Sequence, residues 1–170
     1  HGRRPALRRP MQFALLTGSV IWLVGSIALS ARPDTGQELP ELSFASLDGQ
    51  MVPLAQFKGQ PTVVNLWATW CPPCVREMPA LRQAQIDYPG VNFVFVNQRE
   101  SVDRVDAWLK ARKLPLRNML LDVNGQTGAA FKQRALPMTL FFDAKGRLVS
   151  TRIGELSPAT LTERLAEIRQ

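Results

Sequence analysis

The chain has no cysteine outside a single Cys-x-x-Cys, Cys71 and Cys74, and no histidine except His1. No second disulfide can therefore staple the fold, so stability must come from packing. The two scarcities together exclude a self-contained structural zinc site, which needs about four Cys or His ligands. A two-thiolate Cu(I) site survives that count, because thiolates suit a soft ion. No acidic residue precedes Asp34, whereas Arg3, Arg4, Arg8 and Arg9 all do. Residues 10–31 carry no charge of either sign. A basic stripe interleaved with aromatics is also missing, which speaks against nucleic acid as a partner. Internal repeats and low-complexity segments are absent.

What is present is a chain of 170 residues, 45 % of them hydrophobic. That is enough to bury one core and leave a segment over. The formal net charge is +7. Without the four N-terminal arginines, 17 basic residues face 14 acidic ones, a balance of +3. Residues 13–29, FALLTGSVIWLVGSIAL, would rise about 25 Å as a helix, near the minimum for a bilayer span. Arginines precede them, and Arg32 and Asp34 follow. The positive-inside rule then puts the N-terminus in the cytoplasm and the remainder outside the cytoplasmic membrane, facing the periplasm or the cell exterior. A retained single-pass anchor is the favoured reading. A cleaved signal peptide is the alternative, with Ala28-Leu29-Ser30 supplying small residues at the cut. The chain so divides into residues 1–31, a basic segment and anchor, residues 32–40, a linker, and residues 41–170, the folded domain.

Within that domain, Leu42, Phe44 and Leu47 lead to Asp48-Gly49, a hairpin turn signal, with Val52 and Leu54 on the return strand. Residues 62–67, TVVNLW, read as a buried strand. A helix starts at Pro72, since proline fits a first helical turn, and stops at Pro89-Gly90. Residues 91–97, VNFVFVN, form a second core strand. Ser101 caps a helix to about Arg112, with Val102, Val105, Trp108 and Leu109 on one face. Residues 118–122 are a short strand, and residues 124–134 a helical turn or short helix. Residues 139–143 and 148–153 form a hairpin around Ala144-Lys145-Gly146. Ser157-Pro158 caps a last helix. Strands alternating with helices imply parallel pairs, and the final hairpin an antiparallel edge. The expected fold class is α/β, a mixed sheet flanked by helices.

The chemistry is at Cys71 and Cys74. Two cysteines three apart at a helix start can close a disulfide and reopen it. The thiolate is the reacting form, and a helix N-terminus favours negative charge there. Cys71, just before the helix, is assigned the attack. Cys74, one turn in, is the more buried and resolves the mixed disulfide. Pro72 and Pro73 between them have no N–H, which leaves the Cys74 and Val75 amides as the nearest donors to the Cys71 sulfur. Such weak support for the thiolate points to a reductant nearer about −270 mV than about −120 mV.

Residues 63–79, VVNLWATWCPPCVREMP, closely resemble the active-site segment of the TlpA/ResA-like thiol-disulfide reductases. The resemblance covers about residues 38–168 and implies a thioredoxin-like domain with a membrane anchor. Pro137, in Ala135-Leu136-Pro137-Met138-Thr139, matches that family's cis-proline loop, which lies against the cysteines. By this resemblance the Leu136 backbone faces a partner strand. Met138 stands where many members have threonine, which bears on substrate preference. Read without the family, Pro137 is an ordinary loop proline before a strand. Glu77, three residues after Cys74, matches the acid that tunes the cysteines. Asn65 takes the place of the buried aspartate of cytosolic thioredoxin, and cannot itself move a proton. Trp70 is expected to shield the disulfide and touch partners, and Trp67 to be core. Pro79 is expected to kink its helix, and residues 101–118 match the family's extra strand-and-helix insertion.

The resemblance implies an exported reductase of protein disulfides, with no cofactor beyond the redox pair itself. Electrons would come from a membrane reductant transporter and pass to an oxidised protein. Apocytochrome c thiols or a copper-site assembly protein are the implied targets. A disulfide-forming oxidase and a copper-delivery module of the same fold are the alternatives. A peroxidase would need its cysteine in a Pro-x-x-x-Thr-x-x-Cys setting, which this sequence lacks.

Overall fold

The computed structural model describes residue 2 and residues 36–170. The expected anchor at residues 13–29 and most of the expected linker lie outside the described residues. Among the described residues, no helix is long and apolar enough to cross a membrane.

The elements follow in chain order as β1 (Ser43–Ser46), β2 (Met51–Pro53), a 3-10 turn (Leu54–Phe57), β3 (Thr62–Trp67), α1 (Pro72–Asp87) and β4 (Asn92–Gln98). Then come α2 (Val102–Ala111), β5 (Met119–Asp122), α3 (Gln126–Ala130), β6 (Met138–Phe142), β7 (Leu148–Ile153) and α4 (Pro158–Ile168). All seven strands join one sheet in the order β2-β1-β5-β4-β3-β6-β7. The pairs β3–β4 and β4–β5 are parallel. The pairs β3–β6, β6–β7, β1–β2 and β1–β5 are antiparallel. This is the mixed sheet that the element order predicts.

Strand β3 is buried along its whole length and sits between β4 and β6. Its apolar run is explained by cover on both faces. One face carries Val63, Trp67, Phe93, Phe95 and Phe141, packed with residues of α1, α2 and α4. The other carries Val64, Leu66, Val94, Val96 and Phe142, packed with Leu54, Phe57 and Phe131. Trp67 is core, as expected, with its ring 5.1 Å from that of Trp108.

Several boundaries differ from the sequence expectation. Leu54 leaves the hairpin for the 3-10 turn, because it and Phe57 are needed under the sheet. Helix α3 is confined to five residues by the left-handed Gly125 before it and Lys132, at φ 51, after it. Residues 101–118 contain only a helix; the strand of the expected insertion, β5, begins at Met119. Within the segment read as linker, Leu39 is buried and Glu38 bridges to Arg147. Pro79 lies inside α1, and the helix continues past it to Asp87.

Candidate active site

Strand β3 ends in the centre of the sheet and hands the chain to Ala68-Thr69-Trp70. Helix α1 then starts with Pro72, and Cys71 is its cap in extended conformation. Cys71 and Cys74 are joined by a disulfide. The Cys74 N–H donates to Cys71 Sγ at 3.4 Å. The Val75 N–H goes instead to the Cys71 carbonyl at 3.1 Å. One amide, not the expected two, therefore serves the sulfur. The two prolines add none.

Cys71 is 3 % exposed and Cys74 fully buried. The order of burial is as expected, but the first sulfur is less open than a freely attacking thiolate implies. Trp70 is the large apolar side chain exposed next to them. It is 64 % exposed, directly preceding the buried Cys71.

Behind the cysteines lies Glu77, 1 % exposed. One carboxylate oxygen accepts from Asn65 Nδ2 at 2.8 Å, the other from the Leu156 N–H at 2.8 Å. Asn65 Nδ2 also reaches Thr139 Oγ1 at 3.0 Å, while Asn65 Oδ1 is buried with no partner. Burial pushes Glu77 up to about 7, against the pull of the Leu156 and Asn65 donors. Desolvation of the charged form outweighs two hydrogen bonds to it. Glu77 thus sits between its charged and neutral forms near neutral pH, one helical turn from Cys74.

The Leu136–Pro137 bond is cis. The Pro137 carbonyl accepts from the Gly154 N–H at 2.9 Å, and Met138 opens β6 opposite Leu66. Leu136 is half-buried and Met138 buried. The loop between β7 and α4 therefore touches the site three times. Gly154 holds Pro137, Leu156 holds Glu77, and the Glu155 carboxylate takes two bonds from Arg76, at 2.9 and 2.7 Å.

Sequence reasoning missed Glu100. It is buried just past the end of β4. It accepts from the Thr69 N–H at 2.8 Å, Thr69 Oγ1 at 2.5 Å, Asn97 Nδ2 at 2.7 Å and Arg104 Nε at 3.0 Å. Thr69 is two residues before Cys71, so Glu100 holds the loop that carries the disulfide. Its position was a usable signal. An acid at the C-terminal end of a central parallel strand lies where α/β sheets place their sites.

Comparison with known proteins follows the same lines. The AhpC/TSA family matches residues 35–151. The chain is 30 % identical over 136 residues to the thioredoxin-like protein YneN of Bacillus subtilis, covering 76 % of this chain and 78 % of that protein. It is 26 % identical over 166 residues to the thiol-disulfide oxidoreductase ResA of Bacillus cereus, covering 95 % of each. A solved structure of a secreted disulfide oxidoreductase from Mycobacterium tuberculosis, homologous to E. coli DsbE, superposes with a TM-score of 0.66 at 26 % identity. That match covers 74 % of this chain and 95 % of the other. The fold is thioredoxin-like, and the chain belongs to the AhpC/TSA family as a thiol-disulfide oxidoreductase.

Proposed function

We propose that the chain reduces disulfides of specific exported proteins, with Cys71 as nucleophile and Cys74 as resolving thiol. The observation that carries this reading is the disulfide at the start of α1 with a carboxyl buried one turn behind it. The Cys71 thiolate attacks one sulfur of the partner's disulfide, and the expelled partner thiolate takes a proton. Cys74 then gives its proton toward Glu77 and attacks Cys71 Sγ, which releases the second partner thiol. Two electrons pass to the partner. The proton that Cys71 gave up on becoming a thiolate and the Cys74 proton, handed on by Glu77, end on the two partner thiols, and the chain's own disulfide is restored. A carboxyl titrating near 7 is suited to accept that proton and give it back.

Prolines at both intervening positions favour the reducing direction, because they leave a single amide aimed at Cys71 Sγ in the disulfide. Leu136, half-buried before Pro137, is the residue with which a partner strand would pair, while Met138 lies buried between β3 and β7 behind it. Trp70, exposed beside Cys71, adds an apolar contact for it. A membrane reductant transporter would return the electrons, and residues 13–29 would tether the domain of residues 41–170 outside the cytoplasmic membrane. Proteins of cytochrome c maturation or copper-site assembly are the substrates this reading favours.

Replacing Cys74 with serine stalls the reaction at the mixed disulfide. The Cys74→Ser chain should trap a defined protein on Cys71, and a chain that traps none removes the reading. The potential of the wild-type pair should lie near about −270 mV. A value above about −200 mV would make the chain an oxidase instead.

A further inference from the structure

Beside the disulfide lies a cleft of about 490 Å³. Trp70, the neighbour of Cys71, lines it, and so does Leu136, the neighbour of Pro137. Its lining includes two arginines, Arg99 and Arg134, and no acidic residue. Both arginines are exposed. Elsewhere on the domain, Arg76, Arg104, Arg147 and Arg164 each find a carboxylate. Arg99 and Arg134, like Arg82, Arg112, Arg117, Arg152 and Arg169, have no carboxylate within ion-pair distance among the described residues, but these two share one cleft.

The backbone of Arg99 is fixed, and its side chain packs on Gly125. Its backbone turns to φ 59 at the end of β4, and its N–H is held by the Asp122 carbonyl at 2.9 Å. Its guanidinium then lies on Gly125. A Cβ there would meet Arg99 Nε at 2.5 Å, so a side chain at 125 would have to displace it. Gly125 has φ 70, which also disfavours any residue with a side chain.

We propose that this cleft docks the segment of an oxidised partner protein that carries a carboxylate beside its disulfide. The proposal rests on the exchange reading above and names the substrate class for that site. Trp70 and Leu136 take the apolar part of the segment, and the two guanidinium groups take the acid. Arginine suits the task because its planar donors match a carboxylate. Charges at such a rim act mainly on the association rate and on its salt dependence.

The test uses the full chain, reduced with dithiothreitol and desalted, against three disulfides. Two are cyclic peptides identical except for Asp or Lys on either side of one cysteine. The third is the small neutral bis(2-hydroxyethyl) disulfide. At low salt the Asp peptide should be reduced about tenfold faster than the Lys peptide, and about 0.5 M salt should bring the ratio close to one. In R99Q/R134Q the ratio should fall to about one already at low salt, and R99K/R134K should restore part of it. Equal wild-type rates for the two peptides, or a ratio that survives in R99Q/R134Q, overturn the proposal. If the wild type reduces the neutral disulfide yet treats the peptides alike, only the cleft reading fails. If it reduces none of the three, the exchange reading fails with it.

Discussion

At pH 6 an ordinary glutamate has lost nearly all its protons, while Glu77 keeps most of its own. Burial is the main cause, and the Leu156 and Asn65 donors only moderate it. The consequence for stability has a definite sign. A carboxyl whose folded pKa is raised, here from 4.5 to about 7, favours the folded state while protonated. That contribution is complete below pH 4.5 and is lost as pH rises through about 7. The oxidised chain should therefore lose about 2–3 kcal/mol of stability from this group between pH 5 and 8. Glu77→Gln should lack this loss. Urea unfolding of both proteins at the two pH values gives the comparison, and equal slopes would mean that Glu77 is charged throughout. The residue was legible from its spacing to Cys74. Its burial was not, because the Asn65 and Leu156 donors come from β3 and the β7–α4 loop.

Among the elements, the loop from β3 to α1 depends on a distant partner. Glu100 gathers four donors, two of them from Thr69. Glu100→Gln turns an acceptor-only group into one that presents an amide to those donors. It should cost about 2 kcal/mol and slow exchange at Cys71. A variant with the wild-type urea midpoint and wild-type rate would show that the donors find other acceptors. The strands themselves were plain in the sequence. TVVNLW, VNFVFVN and TLFFD are apolar runs bounded by turn residues, and each is a strand. The helix caps Ser101 and Ser157 also stand where expected, each accepting from the amide three residues on. The place of the first hairpin beside β5 was not legible, since pairing between distant strands leaves no local pattern. The same holds for the bridge from Glu38 to Arg147.

For the molecule as a whole, the sheet is covered on both faces, and consecutive residues of one strand serve different cores. Phe141 belongs to the face under α1, α2 and α4, and Phe142 to the face under the 3-10 turn and Phe131. Phe142 also meets the Phe131 ring at 6.2 Å. Replacing either phenylalanine with alanine should cost about 3–5 kcal/mol. A sheet with one wet face would show a large loss for only one of them, so a pair of urea titrations decides the point.

The three contacts from Gly154, Glu155 and Leu156 have a mechanical consequence. They clamp the proline corner, the helix bearing the sulfurs and the buried acid to one short stretch of chain. None of these contacts involves a sulfur atom, so opening the disulfide removes none of them directly. The catalytic machinery can thus cycle its electrons on a frame that need not move.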